Sequence, residues 1–197
     1  RAGVSVLTSY TFARLGPLLR VDAPGGLATT HAYDLLGRRT STTTPDGGLV
    51  QWTYDLAGNK TSEQSPVLRE EGNVKTVFGF DFGLLTSITY PGEKPVTMDY
   101  GGYLGHPTAG NAAGKMVHVD DKARVQDFAY DVNGRLARDV TTMTGPHPNK
   151  GPFTTSYDND WLGRLATVSL PDGEVVRNDY DTGGRLRRVV GTNDCPE

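Results

Sequence analysis

The stretch Tyr33-Asp34-Leu35-Leu36-Gly37-Arg38-Arg39-Thr40-Ser41-Thr42-Thr43-Thr44-Pro45, or YDLLGRRTSTTTP, decides the fold because it recurs along the chain. YDLAGNKTSEQSP begins at Tyr54, YDVNGRLARDV at Tyr130 and YDTGGRLRRVV at Tyr180. FARLGPLLRVDAP from Phe12 and NDWLGRLATVSLP from Asn159 are degenerate copies, and FDFGLLTSITYP from Phe80 lacks one residue before its glycine. An eighth copy opens at Tyr100 and resumes at Gly114-Lys115-Met116 after an insertion. The starts at 12, 33, 54, 80, 100, 130, 159 and 180 give a base period of 21 residues, so residues 1–197 read as a single array of about eight repeats.

A second marker tests this register. A proline lies twelve residues after four of the starts, at Pro24, Pro45, Pro66 and Pro171, and eleven after Phe80, at Pro91. Turn residues follow, as in Pro24-Gly25-Gly26 and Pro45-Asp46-Gly47-Gly48, and supply the dihedrals that tight reversals need. Hairpin tips are therefore predicted at these prolines and at Asp120-Asp121. Extra residues at 67–72, 101–113 and 144–152 fall at turns, where insertions cost little; inside a paired strand they would exchange its faces.

Between turns the chain alternates with period two. Residues two before the repeat start are often aromatic or amphipathic (His31, Trp52, Phe78, Phe128), so each hairpin is predicted to carry one aromatic face. Each unit reads as strand, Asp-x-x-Gly turn, strand, Pro-Gly tip. The carboxylates of Asp34, Asp55, Asp131 and Asp181 can accept the N–H groups just ahead, and Gly37, Gly58, Gly134 and Gly184 can take the left-handed conformation. Gly58→Val is therefore expected to destabilise the fold and Asn59→Ala to do little. Arg38, Lys60, Arg135, Arg164 and Arg185 follow closely enough to pair with these carboxylates or stack on a neighbouring ring.

Composition agrees. Leu, Val, Ile and Phe make up about 22 % of the chain, with 25 Gly and 12 Pro. That suits short strands and many turns, not a thick core, and predicts an all-β, curved, single-layer sheet whose aromatic rows, including Trp52, Tyr54, Phe78, Phe80, Phe128 and Tyr130, stack between hairpins. Exposed edge strands would invite weak self-association. A net charge of −3 offers no field for phosphate backbones, so nucleic acid is not an expected partner. No stretch has the roughly 18 consecutive apolar residues that span a bilayer, so no membrane insertion by a helix is expected.

The recurring Tyr-x-Tyr-Asp-x-x-Gly-Arg-Leu pattern resembles the YD-repeat, or Rhs-repeat, family, which includes bacterial polymorphic toxins, C components of insecticidal toxin complexes and teneurins. The resemblance runs from Phe12 to Val190. It implies hairpins joined into a spiral sheet that forms a hollow shell, surrounding a C-terminal toxin in the bacterial members and supporting adhesion in teneurins. The implied partners are the remainder of the shell and an enclosed toxin domain, or alternatively a cell-surface protein or glycan. The implied location is secreted, cell-surface or translocated. Shells of this family are far longer and bacterial ones carry Asp-Pro-x-Gly motifs, which do not occur here, so a slice of a shell wall is expected.

No catalytic, cofactor-binding or metal-binding residue is expected, and the chain is read as a non-enzyme. Gly110-Asn-Ala-Ala-Gly114-Lys115-Met116 is one residue too short between its glycines for a phosphate loop and lacks the Ser or Thr after Lys. His31, His106, His118 and His147 have no zinc-type spacing with one another or with Cys195, the single cysteine. His118 with Asp120 and Asp121 could form a metal or acid–base cluster, but a strand end followed by an acidic turn explains it more simply. The rows of turn aspartates could form a glycosidase pair, but turn closure accounts for them. Arg185, Arg187 and Arg188 read as a solvated strand face.

Overall fold

A computed structural model describes residues 7–14, 16–102, 111–146 and 148–192. His106, His147, Gly110 and Cys195 lie outside the described residues. Backbone contacts divide the chain into two compact units, Arg1–Pro95 and Val96–Glu197.

The first unit holds β1 (Ser9–Phe12), β2 (Leu18–Ala23), β3 (Leu27–Tyr33), β4 (Arg39–Thr44), β5 (Gly48–Tyr54), β6 (Lys60–Gln64), a short helix α1 (Pro66–Glu70), β7 (Thr76–Asp81) and β8 (Leu84–Thr89). The second holds β9 (Val96–Tyr100), β10 (Met116–Asp120), β11 (Arg124–Tyr130), β12 (Leu136–Met143), β13 (Phe153–Asn159), β14 (Leu165–Ser169), β15 (Val175–Tyr180) and β16 (Leu186–Gly191). Strand order follows chain order, and each strand pairs antiparallel with its chain neighbours within a unit. The described residues are all-β apart from five in the helix.

Repeat starts coincide with strand ends. Phe12, Tyr33, Tyr54, Tyr100, Tyr130, Asn159 and Tyr180 close odd-numbered strands, and Phe80 lies one residue before the end of β7. In seven of these hairpins the register shifts at the repeat start, as between Ala32 and Tyr33 or Ala129 and Tyr130. A bulge at that point inserts an unpaired residue and strengthens the local twist just ahead of the Asp-x-x-Gly turn.

Register assigns the two faces. In the first unit His31 faces Thr42, which faces Val50; Trp52 faces Glu63, which faces Thr76; and Phe78 faces Ile88. Cross-strand partners share a face, so the aromatic residues fall on one side. The opposite side carries the row Ala32, Ser41, Gln51 and Gln64, of small or polar residues. Among the described residues Met98 and Ala112 are the buried hydrophobic side chains and Ser62 and Gln64 the buried polar ones. Each sheet is a single layer that half-buries most of its side chains.

The tips at Pro24, Pro45, Pro91, Asp121 and Pro171 are turns between strands. Pro66 departs from this expectation: it takes the first turn of α1, where its fixed φ and missing N–H cost nothing, behind the N-cap Ser65. The helical tip folds back on the small-residue face. Arg69 donates to the Leu49 carbonyl (3.1 Å) and to Gln51 Oε1 (3.0 Å), and a Cβ on Gly48 would lie 2.8 Å from the Pro66 ring. Gln64, 4 % exposed, donates to Asn73 Oδ1 (2.9 Å) and the Val74 carbonyl (3.0 Å), closing the tip from beneath.

Candidate functional site

Each Asp-x-x-Gly turn is closed by its own carboxylate. Asp34 Oδ1 accepts the N–H groups of Leu36 (3.0 Å) and Arg38 (2.9 Å), while Oδ2 accepts Arg38 Nε at 2.6 Å. Asp131 and Asp160 repeat the arrangement with Arg135 and Arg164, and Asp55 with Asn59. The glycine of each turn is left-handed, with φ of +78° at Gly37 and +95° at Gly58, and donates its N–H to the aspartate carbonyl. The hydrogen bond from the Arg135 N–H, joined by the Arg135 guanidinium and the Asn133 N–H, holds the Asp131 carboxyl below the usual carboxylate range against the opposing effect of burial. At Asp34 burial acts upward most strongly, but donors from Arg38 and Leu36 together outweigh it and the net shift is downward.

The turns are coupled to one another through the repeat-start tyrosines. Tyr33 donates its hydroxyl to the Leu18 carbonyl (2.9 Å), Tyr54 to Arg39 (2.7 Å), Tyr130 to Met116 (2.7 Å) and Tyr180 to Leu165 (2.9 Å). In every case the acceptor lies 14 or 15 residues earlier, at or next to the start of the even strand of the preceding hairpin. Cations from that preceding hairpin cover three of these rings: Arg38 lies 4.9 Å from the Tyr54 centroid, Lys115 5.1 Å from Tyr130 and Arg164 4.2 Å from Tyr180, whereas Tyr33 is approached by Arg39 of its own hairpin at 5.9 Å; Lys60 similarly lies 4.6 Å from Phe78, two residues before the start at Phe80. Arg38 also donates to the Asp55 carbonyl at 2.7 Å. Successive hairpins are thus joined at these rings by cations, where ring-on-ring stacking was expected. Sequence reading anticipated the arginine's two possible partners but missed the hydroxyl bond, whose only signal was a tyrosine at a fixed place in the period.

Other sequence candidates resolve into structural roles. His118 Nδ1 lies 2.6 Å from Asp127 Oδ1, its cross-strand partner, while Asp121 accepts the N–H groups of Ala123 and Arg124 to close its turn. Lys115 donates to the Gly134 carbonyl, and Gly114 is a left-handed turn residue with φ of +69°. His31 Nδ1 contacts Thr42 Oγ1 at 2.9 Å. Among the described residues no group of three His, Cys, Asp or Glu side chains is arranged to hold a metal ion. Arg187 and Arg188 line a shallow, open cavity of about 650 Å³ with Asp160, Arg164, Arg177 and Asp179. No helix of the described residues is long and apolar enough to cross a membrane.

Tandem antiparallel hairpins, five of them closed by a turn carboxylate and four clamped to their predecessor through a tyrosine, define a hairpin-repeat sheet. Residues 14–49 of this sheet match the RHS Repeat family model. The same fold occurs in a mutant Tc holotoxin pore of Photorhabdus luminescens (TM-score 0.75, 18 % identity, 94 % of this chain and 10 % of that chain). It occurs also in the crystal structure of TcdB2-TccC3 (0.77, 19 %, 96 % and 11 %) and in that of TcdB2-TccC3-Cdc42 (0.76, 19 %, 96 % and 10 %). The chain spans about a tenth of the length of these chains. No curated protein matches it.

Proposed function

We propose that residues 1–197 form one array within the wall of an RHS/YD-repeat protein, and that this wall encloses or carries a toxin domain supplied by other residues of the intact protein. The role is structural: the chain builds a container and catalyses no reaction. The observation that carries this reading is the tyrosine clamp. It joins four of the hairpins, those of Tyr33, Tyr54, Tyr130 and Tyr180, to the one before and leaves their turn aspartates engaged within their own repeat, as a wall requires. Likeness to the repeat sheets of the Tc complexes supports it. The partners are then the rest of the wall and its contents, and the protein works outside the cell that makes it, on the cell surface or after translocation. Electron cryo-microscopy of the intact protein is the test. A closed wall around internal density is the expected result. An open array with no enclosed density that binds immobilised glycans would overturn it in favour of an adhesion module.

A further inference from the structure

An Asp-x-x-Gly turn is made by its aspartate and its glycine, and the residue just before the glycine varies: it is Leu36, Ala57, Leu162 or Gly183 in four turns and Asn133 in the turn of Asp131. Asn133-Gly134 is the one Asn-Gly pair in the sequence. Such a pair has a chemistry of its own. A glycine has no Cβ to crowd the approach, so its main-chain nitrogen reaches the preceding side-chain amide carbon more readily than that of other residues. The bond from Gly134 N to Asn133 Cγ forms and the Cγ–Nδ2 bond breaks. Ammonia departs with the proton that the Gly134 nitrogen gives up, and a cyclic imide remains. Water then opens the imide at either carbonyl, leaving aspartate or isoaspartate at this position.

The folded turn opposes this reaction. The Gly134 N–H, whose proton must leave, donates to the Asp131 carbonyl at 2.8 Å, and the Asn133 N–H donates to Asp131 Oδ1 at 2.8 Å. The preceding hairpin adds two more restraints. From the connection between β9 and β10, Asn111 Nδ2 donates to the Val132 carbonyl and Lys115 Nζ to the Gly134 carbonyl. Asn133 is thus bracketed by two residues whose carbonyls a neighbouring hairpin holds. Bringing its side chain onto the Gly134 nitrogen requires the main chain to rotate against these bonds, so the reaction runs only through an opened turn.

We infer that Asn133 is a site of spontaneous deamidation, gated by the contact between hairpin β9–β10 and hairpin β11–β12. While that contact is closed, the asparagine persists. Once it opens, conversion proceeds one way. Isoaspartate lengthens the main chain by a methylene, and either product places a second carboxylate beside Asp131, so the turn no longer closes as before. A joint that has opened long enough is thereby kept open, whether or not the array walls a toxin.

Peptide mapping by mass spectrometry tests this, after incubation of the 197-residue protein in warm neutral buffer with and without urea. The tryptic fragment Val125–Arg135 carries Asn133, and labelling by an isoaspartyl methyltransferase identifies the isoaspartate product. Folded wild type should convert at least about tenfold more slowly than the chain in urea, because only the open fraction reacts. Lys115→Met keeps an unbranched stem at the Tyr130 ring but loses the donor, and Asn111→Ser removes the other restraint. Each should raise the folded rate several-fold and leave the rate in urea unchanged. Tyr180→Phe, which loosens a different joint, should leave the folded rate at Asn133 as in wild type. Folded wild type that converts as fast as in urea, or a folded Lys115→Met or Asn111→Ser protein no faster than wild type, would overturn the proposal. So would equal acceleration by Tyr180→Phe, which would assign the reaction to global unfolding. If one variant fails to fold, the other and the urea comparison still decide.

Discussion

The hydroxyl of Tyr54 lies 2.7 Å from the main-chain carbonyl of Arg39, and the guanidinium of the adjacent Arg38 lies 4.9 Å from the Tyr54 ring centroid. One side chain is therefore held at its tip and on its face by two consecutive residues of the preceding hairpin. The same relation recurs at Tyr130, held by Met116 and Lys115. In a sheet with almost no buried core, such contacts are a principal means of holding neighbouring hairpins together beyond backbone pairing.

Tyr130→Phe isolates the hydroxyl. It should cost about 1 kcal/mol, the net worth of one half-buried hydrogen bond. Tyr130→Ala also loses the ring and its Lys115 contact and should cost roughly 2–3 kcal/mol, below the range for fully buried aromatics. Urea denaturation of the two variants checks this; Tyr130→Ala as stable as wild type would exclude the clamp.

Gly58→Val should cost about 1–3 kcal/mol from backbone strain alone, since φ is +95° and a Cβ there meets no atom within 4 Å. Asn59→Ala, expected from sequence to do little, should instead cost up to about 1 kcal/mol, because Asn59 Nδ2 donates to Asp55 Oδ2 at 2.8 Å. Chemical denaturation midpoints should fall in the order wild type, Asn59→Ala, Gly58→Val.

Acid should destabilise the fold in two stages. Burial, with a smaller contribution from Arg39, lowers the His31 pKa, so the unfolded chain takes up a proton first and stability begins to fall just below pH 6.5. The depressed carboxyls of Asp34, Asp131 and Asp160 contribute fully above the ordinary aspartate value, and that contribution is lost as pH drops from about 4 through their folded values. Thermal midpoints between pH 7 and 2.5 should show a shallow and then a steep decline. Asp131→Asn should flatten the steep part, and an unchanged slope in that variant would remove Asp131 from the account.

Gln64→Ala should loosen the helical tip. The variant removes donors to Asn73 and Val74 and leaves the Val74 carbonyl without that partner, a loss of about 1–3 kcal/mol for a buried group. Tryptic cleavage after Arg69 and Lys75 should speed up relative to cleavage elsewhere, and equal rates in variant and wild type would contradict this role.

Much of the architecture was legible because repeat physics is local. A proline and glycine every 21 residues, an aspartate three before a glycine and period-two alternation each specify a turn or strand without reference to distant residues. The helix at Pro66 was hidden because its support is tertiary: Arg69 reaches back to Leu49 and Gln51 on β5, and Gln64 braces the far side.

By itself the sequence determined the repeat, its period, the hairpin turns and the single layer of alternating strands, since turn chemistry and hydrophobic period act over a few residues. Only the tertiary structure decided how one hairpin grips the next. The Tyr54 hydroxyl finds a main-chain carbonyl, which every residue possesses and no sequence pattern marks, and the cations that cover the rings are placed by the bulge and twist at each repeat start. The exposed leucines of the Asp-x-x-Gly turns, Leu35 and Leu56 among them, belong to the same category. Their spacing was written in the sequence, but their exposure follows from where the turns project once the strands have paired.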